Sequence, residues 1–174
     1  HWKTLYYVTY SLTWLIFATW FWRRYNPEEH LGIAIGFSTI FFLIFYGVSL
    51  AYKLIRKEKF DGGDVTLILL NSAFYYGLGY YALHIHPDGD QYTGLFTVLN
   101  AALHSMAAFA IWKTKTGDKQ LFWFTTGLVI LFLTIAFPVQ MDGNWVTMAW
   151  AAEAAILFSI GRIRKILMFE IFSY

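Results

Sequence analysis

Residues 31–52 read LGIAIGFSTIFFLIFYGVSLAY and contain no charged side chain. A segment this long and this apolar predicts a transmembrane helix, because about 17–25 helical residues cross the hydrocarbon core of a bilayer. Five further apolar runs accompany it, at residues 5–22, 65–85, 94–112, 121–139 and 145–160. We therefore expect an all-α, polytopic membrane helical bundle of about six transmembrane helices, forming a single domain over residues 1–174.

The composition agrees with a membrane-embedded chain. Hydrophobic residues make up 58% and charged residues 14% of the sequence, whereas soluble domains average about 25% charged residues. The absence of cysteine excludes disulfides and thiol catalysis. The basic residues are spread over several loops and are not gathered on one face, so we expect no nucleic-acid partner. The expected partners are the lipid bilayer and, as candidates, other membrane subunits.

The basic residues are distributed unevenly among the connections between the runs. Of the 13 Lys and Arg residues, 11 lie at the two ends and in the second and fourth connections. The other two, Arg23 and Arg24, lie in the first connection. Because cytoplasmic loops carry the excess of Lys and Arg, we predict an N-in/C-in topology.

Short polar segments predict where two of the helices begin. We predict that Asn26 is the N-cap of the second helix and that Pro27 is its first residue. One of the glutamates that follow would complete a capping box. In the turn at residues 61–64, Asp64 is the expected cap of the third helix. These signals place both helix starts outside the hydrocarbon.

Glu153 lies at the middle of the sixth apolar run. A carboxyl group at this depth costs about 2.5–3.5 kcal/mol, so such residues face the bundle interior and suggest function. Glu153 is either a proton carrier, cation site or catalytic acid, or a neutral carboxyl that joins helices. Small neighbours predict a central sixth helix, since they allow close helix approach; they are Ala149, Ala151, Ala152, Ala154 and Ala155.

His104 lies near the middle of the fourth run, at a depth that matches Glu153. A Glu153–His104 pair would satisfy both side chains. The alternative is a histidine bonded to a backbone carbonyl, to Asn71 or to Asn100. We expect the two asparagines to join helices rather than to contact a ligand.

Four residues with metal-ligand chemistry cluster between the third and fourth runs: His84, His86, Asp88 and Asp90. Imidazole and carboxylate groups at alternate positions could hold Zn²⁺ or Mn²⁺. The segment also includes a Pro-Asp-Gly turn, in which aspartate is common for conformational reasons. We favour the turn, and we predict no metal site and no cofactor.

Residues 137–154 read FPVQMDGNWVTMAWAAEA. This stretch resembles the hallmark motif of a family of large, uncharacterised bacterial polytopic membrane proteins. The family pattern runs roughly Pro-Leu, two residues, Leu-Asp-Gly-Arg-Trp-Thr, then Ala-Trp-Ala-Leu-Glu-Gly-Ala. The matching positions are Pro138, Asp142, Gly143, Trp145, Trp150 and Glu153. Asn144 and Ala154 depart from it.

The resemblance implies a multi-pass protein of the bacterial inner (cytoplasmic) membrane, with no known activity. Family members are usually much longer, so we expect this chain, which begins at His1, to be a segment of a longer one. The resemblance also places Asp142, Trp145, Trp150 and Glu153 in one motif with a shared role.

Three functions are compatible with these features. We expect a non-enzymatic transport-like or scaffold subunit of a bacterial envelope assembly. The alternative is an intramembrane enzyme that acts on lipid or lipid-linked sugar, with Glu153 and His104 as acid–base groups. A third is an anchoring element without a small ligand. The candidate binding residues are Glu153, His104, Asp142, Trp145, Trp150, Asn71 and Asn100.

Overall fold

The computed structural model describes residues 2–56, 58, 60–114, 119–141 and 144–164, which form six α-helices and no strand. The helices are α1 (Trp2–Arg24), α2 (Pro27–Arg56), α3 (Gly62–His84), α4 (Asp90–Thr114), α5 (Lys119–Gln140) and α6 (Asn144–Arg164). Each contains one of the apolar runs, apart from the last residue of the third run. The prediction of an all-α bundle is confirmed.

Four of the described helices are long and apolar enough to cross a membrane: α2, α4, α5 and the segment Trp145–Ile163 of α6. The helices α1 and α3 contain 23 residues each, which is about 34 Å at 1.5 Å per residue. Their length therefore suffices, although they are not among these four. That all six helices cross the membrane remains a prediction.

The core of the bundle lies among α2, α3, α4 and α5. The most extensive contact joins α4 to α5, followed by α2 with α3 and α3 with α4. The helices α3 and α4 approach closely at Gly79, where any larger side chain would overlap the ring of Phe96. The helix α1 packs on this core through Trp14, which is 2% exposed.

The helix α6 lies at the edge of the described bundle. Its main contact is with α5, and Ala151, Ala152 and Ala155 are exposed. The prediction of a central sixth helix is therefore wrong for the described residues. Small side chains permit a close helix contact, but they do not determine whether a neighbour fills it.

The start of α2 follows the predicted pattern with one change. The side chain of Asn26 accepts a hydrogen bond from the N–H of Glu28 at 3.2 Å, and Pro27 is the first helical residue. The N–H of Asn26 donates to Nδ1 of His30 at 3.0 Å. Histidine thus takes the place expected for a glutamate, because its ring nitrogen can accept the same bond.

The helix α3 begins with a capping box, and its N-cap lies one turn before the residue that was predicted for that role. Asp61 is the N-cap, and its carboxylate accepts the N–H of Asp64 at 2.9 Å. The carboxylate of Asp64 in turn accepts the N–H of Asp61 at 3.0 Å. Asp64 is therefore the third helical residue and not the cap, since Gly62 already adopts the helical conformation.

Candidate functional site

His104 is fully buried at the centre of the bundle, where three helices position it. Its Nδ1 lies 2.9 Å from the hydroxyl of Tyr46 on α2. Its ring stacks on Phe132 of α5 with centroids 5.3 Å apart, and meets the edge of Phe42 at 6.1 Å. These contacts hold the imidazole in one orientation.

The contact with Tyr46 indicates which nitrogen of His104 carries the proton. Tyr46 is 7% exposed, and a buried hydroxyl donates a hydrogen bond wherever an acceptor is available. Among the described residues, the partner of this hydroxyl is Nδ1 of His104. The neutral ring then accepts at Nδ1 and carries its proton on Nε2.

Asn100 lies one helical turn before His104 on α4 and is also fully buried. Its Nδ2 donates to the carbonyl of Phe96 at 2.9 Å. Within the described part of the chain, Oδ1 of Asn100 and Nε2 of His104 have no hydrogen-bond partner. The amide oxygen is an acceptor, and the ring nitrogen, with its proton, is a donor.

Asn71 joins three helices near this site. It is 2% exposed, and its Oδ1 accepts a hydrogen bond from Nε1 of Trp14 on α1 at 3.0 Å. Its Nδ2 donates to the carbonyl of Phe42 on α2, also at 3.0 Å. Both polar groups of the side chain are therefore used in packing α1, α2 and α3 together.

Glu153 lies half-buried at the contact between α6 and α5. Its Oε1 is 2.6 Å from the hydroxyl of Thr134 on α5, and Nε1 of Trp150 donates to the carbonyl of Thr134 at 3.3 Å. Two candidate residues of α6 thus meet at one residue of α5.

The Glu153–His104 pair, one of the two alternatives considered from the sequence, is not formed: His104 contacts Tyr46, and Glu153 contacts Thr134. The expected alternative for His104, a bond to a backbone carbonyl or to an asparagine, is not formed either. Tyr46 occupies Nδ1, and Nε2 has no partner in the described structure.

The whole chain, residues 1–174, matches the model of one protein family, described as "Predicted membrane protein (DUF2339)". The chain belongs to this family. The resemblance recognised at residues 137–154 is thereby confirmed. No curated protein and no solved structure matches this DUF2339 protein. It is a membrane protein, and the family description assigns it no activity.

The structure describes only part of the motif that carries the family resemblance. Asp142 and Gly143 lie outside the described residues. Trp145 is exposed at the start of α6, with 67% of its surface accessible. Within the described part of the DUF2339 motif, Trp150 and Glu153 both contact Thr134 on α5. This contact is separate from the one that His104 on α4 makes with Tyr46.

The histidine–aspartate segment between α3 and α4 forms turn contacts. Nδ1 of His84 lies 2.7 Å from the carboxylate of Asp90, and Nδ1 of His86 accepts the N–H of Asp88 at 3.1 Å. Among the described residues, no group of three metal-ligand side chains is close enough to hold an ion.

One polar cluster of this DUF2339 protein was missed by the sequence reasoning. Nζ of Lys53, near the end of α2, lies 2.6 Å from the carboxylate of Asp64, with 6% and 10% of the two side chains exposed. Lys53 follows Tyr46 and Phe42 on the buried face of α2. That spacing, with an aspartate at the start of the next helix, was the available signal.

Proposed function

We propose that this protein is a non-enzymatic scaffold subunit of a larger assembly in the bacterial inner membrane. All six helices would span the membrane, with both termini in the cytoplasm. The observation that carries this proposal is the arrangement of α6, which binds α5 through its polar side chains and leaves a row of small residues uncovered.

The polar groups of α6 support a structural role for Glu153. The hydroxyl of Thr134 lies 2.9 Å from the carbonyl of Ile130 and 2.6 Å from Oε1 of Glu153, although it carries only one proton. The Thr134 hydroxyl donates to Oε1 of Glu153, so Glu153 accepts a hydrogen bond that ties α6 to α5.

The opposite side of α6 supports association with another membrane helix. Ala151, Ala155 and Ser159 recur every fourth residue, so they form one row on the helix surface. All three are exposed, and the row points away from Glu153 at 100° per residue. Small residues at this spacing let a second backbone approach closely. We assign the row to a transmembrane helix of another subunit.

Single cysteines test this assignment, since the sequence contains none. In native membranes, Ala155→Cys should form a specific crosslink to a membrane protein. The matched control Ile16→Cys, on the exposed face of α1 (64% accessible), should not. Equal crosslinking at the two positions, or none at Ala155, would contradict the proposal.

The orientation is tested with the same cysteine-free background. Glu58→Cys, between α2 and α3, should resist a membrane-impermeant thiol reagent added to intact cells. Asp88→Cys, between α3 and α4, should react, because adjacent connections lie on opposite sides of the membrane. Both side chains are exposed, so burial does not explain a difference. The reverse pattern would overturn the N-in/C-in topology.

Glu153→Gln separates a structural from a functional carboxyl. The amide oxygen can accept from the Thr134 hydroxyl as the carboxyl oxygen does, so a scaffold subunit should fold and assemble normally. Glu153→Ala should weaken assembly because it removes the bond to α5. Loss of function in Glu153→Gln with normal folding would show that an ionisable group is required.

A transport-like role is the second candidate, favoured by the unpartnered Nε2 of His104 and Oδ1 of Asn100. Buried unpartnered polar atoms suit a path that takes up water. In proteoliposomes with a pH gradient, this role requires proton flux that His104→Phe abolishes, whereas a scaffold shows none. The enzyme alternative has less support, because His104 and Glu153 have separate partners.

A further inference from the structure

A cavity of about 300 Å³ lies where α1, the end of α2 and the start of α3 meet. Its apolar wall includes Tyr7, Val48 and Tyr52. Val48 and Tyr52 are 52% and 49% exposed, so the cavity adjoins the surface that faces lipid. Tyrosine favours the headgroup level of a bilayer, which places this cavity at the membrane interface.

Lys3, Lys53 and Asp64 line the polar end of the cavity, and Asp61 lies beside it as the partner of Lys3. The inner pair, Lys53 with Asp64, is separated by 2.6 Å, with 6% and 10% of the side chains exposed. The outer pair, Lys3 with Asp61, is separated by 2.8 Å, with 57% and 54% exposed. A second carboxylate, Glu58, lies 3.9 Å from Nζ of Lys53. The buried ammonium is therefore already matched by carboxylates, and a ligand entering from the membrane surface meets the outer pair.

Both members of the outer pair keep their charge at neutral pH. The hydrogen bond from Lys3, with that from the N–H of Asp64, lowers the pKa of Asp61 to about 2. The same bond raises the pKa of Lys3. The cavity wall therefore carries a fixed ammonium, Lys3, with the fixed carboxylate of Asp61 directly beside it.

Each member also has capacity for a further partner. The Lys3 ammonium has three donors, and one of them is used by Asp61. The Asp61 carboxylate accepts from Lys3 and from the N–H of Asp64, which leaves about two of its four acceptor positions. A ligand that supplies an anion and a hydrogen-bonding cation together can use both groups.

We propose that this cavity binds a phospholipid whose headgroup combines a phosphate with a primary ammonium, as in phosphatidylethanolamine. The phosphate contacts Lys3, the ammonium donates to Asp61, and an acyl chain follows Val48 and Tyr52. A quaternary ammonium cannot donate to the carboxylate. An anionic headgroup without an ammonium places its charge beside Asp61 and leaves that carboxylate unmatched. This proposal is independent of the scaffold role.

Lipid retention by the purified protein tests the proposal. The protein is extracted in mild detergent and incubated with equimolar phosphatidylethanolamine, phosphatidylcholine and phosphatidylglycerol, and bound lipid is quantified by native mass spectrometry. We expect about tenfold enrichment of phosphatidylethanolamine over phosphatidylcholine, which is the contribution of one charged hydrogen bond. The double variant Lys3→Gln with Asp61→Asn should lose this preference.

Two further variants keep the test decisive. Val48→Trp fills the cavity but retains all four charges, so it should reduce phosphatidylethanolamine binding even if the double variant folds poorly. Lys113→Gln with Asp88→Asn removes one exposed cation and one exposed anion elsewhere, and should bind as the wild type does. Equal retention of the three lipids, preference for phosphatidylglycerol, or normal binding by Val48→Trp would overturn the proposal.

Discussion

Replacing Asn71 by leucine tests how the buried polar groups hold the helices together. The amide links Trp14 on α1 to the carbonyl of Phe42 on α2, and both bonds measure 3.0 Å. Leucine has a similar volume, so the change removes the hydrogen bonds with little change in packing. Trp14 is 2% exposed, so its indole N–H would be left buried without an acceptor.

The structure permits an estimate of the cost. Interhelical hydrogen bonds in membrane proteins average about 0.6 kcal/mol each and reach about 1.7 kcal/mol. Leaving the donor of Trp14 unpaired adds about 1–3 kcal/mol. The carbonyl of Phe42 loses less, since it lies within a helix. We therefore expect Asn71→Leu to lower the free energy of unfolding by about 2–4 kcal/mol.

A double-mutant cycle isolates the bond between Asn71 and Trp14. Unfolding in mixed detergent micelles is followed by far-ultraviolet circular dichroism for Asn71→Leu, Trp14→Phe and the double variant. The double variant should lose about 1 kcal/mol less than the sum of the single losses, because the second change removes the stranded partner. Asn100→Leu is the matched control, since the polar contact of Asn100 lies within its own helix.

The control combination of Asn100→Leu with Trp14→Phe should be additive within about 0.3–0.5 kcal/mol. Additivity of the Asn71 cycle within the same limit would refute the reasoning, since the interhelical bond would then contribute nothing. Equal coupling in both cycles would also refute it, because the effect would not depend on the described contact.

Two further predictions concern a helix start and a helix contact. The pKa of Asp61 is lowered from 3.8 to about 2, so its contribution to stability is complete above about pH 4 and is lost as the pH falls through 2. Chemical unfolding between pH 5 and 2 should show a smaller loss of stability for Asp61→Asn than for the wild type; equal slopes would contradict this. Gly79→Ala should cost about 1–3 kcal/mol by overpacking, because the added methyl overlaps Phe96. Gly77→Ala, which meets open space, should be neutral in the same thermal unfolding measurement, and equal effects would contradict the contact.

The helices could be predicted from the sequence because the backbone of a segment in hydrocarbon must satisfy its own hydrogen bonds. A buried N–H or C=O has no water to bind there, so an apolar segment of sufficient length becomes a helix. Residues 31–52 accordingly form the interior of α2, Pro27–Arg56. The added turns at each end lie outside the apolar run and carry charged residues, and Asn26 caps the first of them.

The contacts of the candidate residues could not be predicted in the same way. Depth follows from position along a helix, so the equal depth of Glu153 and His104 was readable from the sequence. Which helices adjoin each other was not, and the structure gives His104 to Tyr46 and Glu153 to Thr134. Equal depth does not tell which helix faces meet, because lipid tails are as apolar as leucine and the hydrophobic effect does not pair helices within a bilayer.

The amino-acid sequence by itself determined the solvent, the six helices and the family to which the chain belongs. These properties depend on local composition and on a short motif. Only the tertiary structure decided that α6 lies at the edge and that Lys53 is buried against Asp64. Such facts depend on which helix faces meet, and that choice is made by packing among residues distant in the chain.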